Sequence, residues 1–192
     1  VSPSGATVVG EDGLRRCPWG LSTPDYVDYH DHEWGKPVHG DQALYERVSL
    51  EAFQSGLSWI TILRRRETFR KAFSAFDPAV VAEFGDPDVE RLMADPGIIR
   101  NRAKVLATIA NARAVLDLEG ITLDALVWSF APKKPGRAPR AFGDVPAVTP
   151  ESTALAKELK RRGFRFVGPT TAYALMQACG LVNDHFADCF AR

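Results

Sequence analysis

Four residues near the two ends of this 192-residue chain have the types and spacing to hold a metal: Cys17 with His30, and His185 with Cys189. Two thiolates and two imidazoles are the donor set of a closed, tetrahedral zinc site, with no position left for water. The second pair is spaced i, i+4, which predicts both side chains on one face of a helix over 184–191. A metal held by all four would be structural and would staple the N-terminal segment to that helix. The competing reading is a buried cysteine or two and some surface histidines.

The elements that must position these residues have helical spacing almost throughout. A helix capped by Asp41 runs through Leu44, Val48 and Phe53 to a stop at Gly56, and another, capped by Ser58, covers 59–76. Asp77-Pro78 and Asp86-Pro87 each open a short helix. Residues 98–118 read as one long helix and 123–130 as a short one, followed by a Pro/Gly/basic loop over about 131–150. Helices over 152–162, 169–179 and 184–191 complete an all-α fold, because β-branched alternation is scarce. Residues 1–14 read as a flexible tail without the features of a signal peptide, and 15–192 as a single domain of two helical lobes.

Composition limits the function classes. No segment approaches the roughly 20 apolar residues that span a bilayer. Three cysteines do not form a disulfide framework, which places the chain in the cytoplasm, and Cys179, in an apolar helix, reads as a small buried hydrophobe. Basic and acidic residues balance at 24 each, which argues against a sequence-independent nucleic-acid binder. Bases nevertheless cluster at Arg64, Arg65, Arg66, Arg70 and Lys71, at Arg100, Arg102 and Lys104, and at Lys157, Lys160, Arg161, Arg162 and Arg165. Such clusters either face phosphates or are solvated helix faces.

The segment 164–185, FRFVGPTTAYALMQACGLVNDH, ends one basic helix and starts another through Gly168 and Pro169. This hairpin (about 163–180) aims unpaired helix N–H groups outward beside Thr170 and Thr171, an arrangement that binds phosphate without net positive charge. The stretches RCPWG (16–20), YHDHEWG (29–35), LEAFQSGLSWITIL (50–63), GIIRNRAK (97–104) and RRGFRFVGPTTAYALMQACGLVNDH (161–185) resemble the 3-methyladenine DNA glycosylase I (Tag) family, among the helix-hairpin-helix DNA glycosylases. The resemblance runs from about residue 15 to the end. It implies a two-lobed helical glycosylase fold with a structural zinc on Cys17, His30, His185 and Cys189. It also implies a bacterial-type base-excision repair enzyme acting on alkylated double-stranded DNA, expected to be a monomer.

On that resemblance, Glu51 hydrogen-bonds a flipped 3-methyladenine while Trp59, Tyr29, Tyr26 and Trp19 line the pocket. Glu51 lies on a face that helical periodicity assigns to the interior, where a lone carboxylate is expensive. Read without the family it bonds a helix end or a tyrosine. Trp34 reads as core packing. Gly168, Thr170, Thr171 and Arg165 would touch DNA, and Gly56 and Leu57 either fill the gap left by the flipped nucleotide or form a helix stop and a core residue. Many relatives carry a catalytic aspartate where this chain has Asn183, and strand-cutting relatives carry a lysine where it has Thr170. The expectation is a monofunctional enzyme without lyase activity. A non-catalytic DNA-binding module and a zinc hydrolase are the rival functions. The first is opposed by the intact Glu51, Trp59 and Tyr29, the second by a zinc already closed by four protein ligands.

Overall fold

The computed structural model describes residues 7–192; the first six positions of the expected tail lie outside the described residues. The rest of that tail is not loose. Val8–Val9 (β1) pairs antiparallel with Arg15–Arg16 (β2), so residues 8–14 form a small hairpin ribbon. Helices make up nearly all remaining regular structure. They are α1 (Pro24–His32), α2 (Asp41–Gln54), α3 (Trp59–Leu63), α4 (Arg66–Ala72), α5 (Pro78–Ala82), α6 (Asp86–Ala94), α7 (Arg102–Leu116), α8 (Leu123–Trp128), α9 (Pro150–Arg161) and α10 (Pro169–Ala178).

Several boundaries differ from the sequence expectation for local reasons. The expected helix over 59–76 breaks after Leu63 and again at Phe73, where Ser74, Ala75 and Phe76 adopt positive φ. The long helix begins at Arg102, because Asn101 takes an extended backbone and its side chain accepts from Lys104 N at 3.2 Å. Helix α9 starts at Pro150, ahead of the expected 152, because Thr149 caps it and exchanges reciprocal bonds with Ser152. The first residue of α2 is Asp41, with Gly40 at its cap. No helix forms over 184–191, which runs as consecutive turns. There Ala187 N donates to Pro139 O and Phe190 N to Arg15 O, so the segment spends its backbone bonds on distant strands of chain. One helix was not expected at all. PDYVDYHDH (α1) lacks an apolar stripe, yet Thr23 caps it, Pro24 occupies its first position and Asp25 its first turn.

The main apolar core joins α2 to α10, from Leu44 and Phe53 through Val105 and Ile109 to Leu175 and Met176. A Phe53–Phe69–Phe73–Phe76 ladder, with ring centroids 4.7 to 6.3 Å apart, fills its centre. Two buried polar side chains fasten the backbone around this core. Lys104, expected in a phosphate-facing cluster, is buried instead. Its ammonium donates to Phe53 O (2.9 Å) and Ser55 O (2.7 Å), capping the end of α2. Asn111 accepts from Arg165 N (2.7 Å) and donates to Arg165 O (3.1 Å), clasping the α9–α10 turn to α7. Among the described residues, no helix is long and apolar enough to cross a membrane.

Lys104→Met should leave two carbonyls at the end of α2 unpaired and cost about 2–4 kcal/mol. Urea unfolding should show a lower midpoint at unchanged slope; an unshifted midpoint would remove the cap from the account of α2.

Candidate functional site

The four expected ligand residues meet. One donor atom each from Cys17, His30, His185 and Cys189 lies within 4.8 Å of the others, and all four side chains are buried. Cys189 Sγ is 3.4 Å from His30 Nε2 and 3.6 Å from His185 Nδ1, and Cys17 Sγ is 3.9 Å from His185 Nδ1. The outer nitrogen of each ring is held. His30 Nδ1 is 2.8 Å from Asp31, and His185 Nε2 is 3.1 Å from Trp34 O. Such partners fix the tautomer that leaves the inner nitrogen free for a metal. Asp31 in turn receives Arg16, which also binds Asp12. Hydrogen bonding from Cys17 holds the Cys189 thiol well below the ordinary thiol range. Packing is tight: a Cβ on Gly20 would sit 2.7 Å from the His30 ring, so only glycine lets the chain cross there.

Beside this cluster lies a cavity of about 240 Å³, lined by Trp19, Tyr26, Tyr29, Trp34, Glu51, Gln54, Trp59, Ala174 and Gln177. Three helices each lend an i, i+3 pair from one face: Tyr26 and Tyr29, Glu51 and Gln54, Ala174 and Gln177. The expected residues Trp19, Tyr26, Tyr29, Trp59 and Glu51 therefore converge. Trp34 lines the cavity too, which corrects its reading as core. Trp19 stands edge-on to Tyr26, Trp34 and His30 at 5.0 to 5.6 Å, so one ring forms the partition between cavity and ligand cluster. The Tyr26 hydroxyl accepts from Ile60 N (3.0 Å) at the start of α3, locking its ring. Trp59 Nε1 is buried without a hydrogen-bond partner among the described residues. Sequence reasoning missed Gln54, Ala174 and Gln177; only Gln54 carried a local signal, its i, i+3 spacing from Glu51.

Glu51 is the chemically distinctive group. It is 5% exposed, and its carboxyl makes no hydrogen bond among the described residues. Burial pushes it up to about 8, against the pull of the Arg47 charge one turn earlier on α2. Burial, followed by the Glu51 charge, raises Tyr29 above the usual phenol range and keeps its O–H a donor. A buried acid with no hydrogen bond among the described residues, set among five aromatic side chains, is suited to a flat heterocycle with an amino donor and positive charge.

The elements expected at DNA lie on the surface. Gly168, Pro169 and Thr170 are exposed at the start of α10, Thr171 is half-buried, and Arg165 is exposed in the turn before them. Phe166, in the same turn, is 45% exposed at positive φ, a feature the sequence did not flag. Gly56 adopts a φ of 84° and Leu57 is 42% exposed, which excludes its reading as a core residue. Many bases of the expected clusters are paired: Arg64 with Asp25, Arg66 with Glu33, Arg70 with Glu46, Arg102 with Glu90, and Arg161 and Arg162 with Glu158. Arg100, Lys157, Lys160 and Arg165 have no ion pair among the described residues.

Residues 19–192 match the family model described as methyladenine glycosylase. The chain is 48% identical to DNA-3-methyladenine glycosylase 1 of Escherichia coli (strain K12), over 92% of this chain and 96% of that one. Its structure resembles a crystal structure of 3-methyladenine DNA glycosylase I (TAG), with a TM-score of 0.87 and 49% identity, covering 91% and 98% of the two chains. It also resembles the Staphylococcus aureus 3-methyladenine DNA glycosylase I solved for the structural basis of 3-methyladenine recognition. There the TM-score is 0.86 at 36% identity, covering 92% and 95%.

The buried acid makes stability depend on pH. Between 4.5, its ordinary value, and about 8, the folded chain holds the Glu51 proton that the unfolded chain has lost. Stability therefore falls as pH rises through that window and is insensitive to this group below it. Glu51→Gln should be more stable than the parent by a margin that widens from pH 4.5 to 8, reaching on the order of 4 kcal/mol. Thermal melts at the two pH values test this, and a constant margin would mean that Glu51 is ionised in the fold.

Proposed function

The chain belongs to the methyladenine glycosylase family, and from that premise we infer how its cavity works. It is a DNA glycosylase of base-excision repair, a hydrolase that removes 3-methyladenine from alkylated DNA by breaking the N-glycosidic bond. We propose that the cavity receives the flipped base, with Glu51 accepting from it and Trp19, Tyr26, Tyr29, Trp34 and Trp59 enclosing its faces and edges. The observation that carries this reading is the buried Glu51 carboxyl, which has no hydrogen-bond partner among the described residues and sits among those rings.

3-Methyladenine in DNA is cationic, so its bond to the sugar is already weak. The protein has to extract the nucleotide, select the base and support charge that moves to the sugar. A dissociative hydrolysis suits the side chains present. Asn183, exposed at the position of the aspartate many relatives use, accepts from His185 N (3.2 Å). Asp184 is occupied by Tyr173 and Gln177. Thr170 stands where a strand-cutting enzyme needs a lysine, so no Schiff base forms and the enzyme is monofunctional. In this helix-hairpin-helix reading, Gly168, Thr170, Thr171 and Arg165 hold the phosphate backbone. Leu57, carried on the Gly56 turn, enters the gap that the flipped base leaves.

The Cys/His cluster fits Zn²⁺ by its donor set, its burial and its held outer nitrogens. Cys17, His30, His185 and Cys189 would hold one ion per chain. Its role is structural, since four protein ligands leave no open position. A chain of this kind is expected to act as a monomer in the cytoplasm.

Chromatography of bases released from methylated duplex DNA should show 3-methyladenine and no 7-methylguanine, with release lowered about 10- to 100-fold in Glu51→Gln. Full activity in a folded variant would remove Glu51 from the site. Cys189→Ala should lose bound zinc and melt about 10 °C or more below the parent. Unchanged metal content and melting temperature would sink the zinc staple.

A further inference from the structure

Among the polar side chains that line the cavity, one amide has its orientation fixed by the fold. Gln177 lines it from α10. Its Nε2 donates to Asp184 Oδ2 at 2.9 Å, and the same oxygen accepts from the Tyr173 hydroxyl at 2.5 Å. Tyr173 is itself buried, which holds the clamp in place. A carboxylate has no hydrogen to give, so it selects the NH₂ end of the carboxamide. The oxygen end, Oε1, makes no hydrogen bond among the described residues.

Resting on the base-binding reading above, we propose that Gln177 is a specificity-determining residue. It presents Oε1 as a fixed acceptor to the amino group at C6 of the methylated purine, and Asp184 and Tyr173 are the positioning residues that prevent the amide from turning over. An acceptor at that place pairs with a 6-amino purine. A 6-oxo purine would set its own carbonyl against it, and the bound base would leave two acceptors facing each other without a donor, which is costly.

Glu51 alone does not supply this discrimination. A carboxyl group that keeps its proton near neutral pH both donates and accepts, so it accommodates an amino group or a carbonyl equally well. The clamped amide only accepts. Being neutral, it also adds no second negative charge beside a buried acid. The clamp further ties α10 to the segment that carries His185, so the amide is held by both the hairpin and the chain's end.

The test compares release of 3-methyladenine and 3-methylguanine from methylated duplex DNA by the parent, Gln177→Met and Asp184→Asn. Zinc content and melting temperature are measured on the same samples. Gln177→Met should lower the ratio of 3-methyladenine to 3-methylguanine release about tenfold. Asp184→Asn, which frees the amide to rotate, should lower the same ratio while retaining zinc. It decides the matter should Gln177→Met fold poorly, since a merely structural role would not move the ratio. Unchanged ratios in folded variants of an active parent overturn the role of Gln177 alone. A folded parent that releases no methylated base overturns the base-binding reading, and this inference with it.

Discussion

The meeting of Cys17, His30, His185 and Cys189 is the contact on which the site depends. The described residues before Leu44 contribute few buried apolar side chains, chiefly Cys17 and Tyr29, while the main core begins at Leu44. That segment is attached by polar chemistry. Arg16 bridges Asp12 and Asp31, Asp31 orients His30, and His185 reaches the Trp34 carbonyl. The cavity draws four of its walls from this stretch: Trp19, Tyr26, Tyr29 and Trp34. Each is in the cluster's immediate neighbourhood through α1 or the Trp19 ring. Loosening the cluster would release those walls.

The opposite wall is held differently. Glu51 and Gln54 occupy one face of α2, whose other faces bury Leu44, Tyr45, Val48 and Phe53. Lys104 caps the end of that helix from α7, and Asn111 on the same α7 clasps the hairpin turn. A single long helix thus sets the distance between the acid and the surface expected to meet DNA. The unpartnered Glu51 lowers stability at neutral pH, the usual signature of a group kept for binding and not for folding.

Charge is arranged with the same economy. Ion pairs within the chain neutralise many of the arginines that cluster in the sequence. What remains for an anionic partner is a modest set of bases and the exposed N–H groups at the start of α10. Affinity built on backbone donors demands an exact placement of the hairpin, which is what the Asn111 clasp provides.

The sequence alone determined the four Cys/His residues as a group, the inward face of Glu51 and the Gly168-Pro169 hairpin. The last two rest on residue type and on spacings of a few positions, which the backbone translates directly into geometry, and the first rests on its donor types. Helix α1 escaped notice because its faces serve a cavity and a ligand cluster, so no apolar stripe marks it. The spacing of His185 and Cys189 suited a helix, but consecutive turns meet it equally well, and the competing bonds to Arg15 and Pro139 lie far away in sequence. Lys104 looked like a surface cation; its carbonyl partners are 51 and 49 residues distant. The pocket role of Trp34 and the amide clamp on Gln177 were likewise decided only by tertiary structure. Long-range packing selects the partner of a polar group, and no local pattern carries that information.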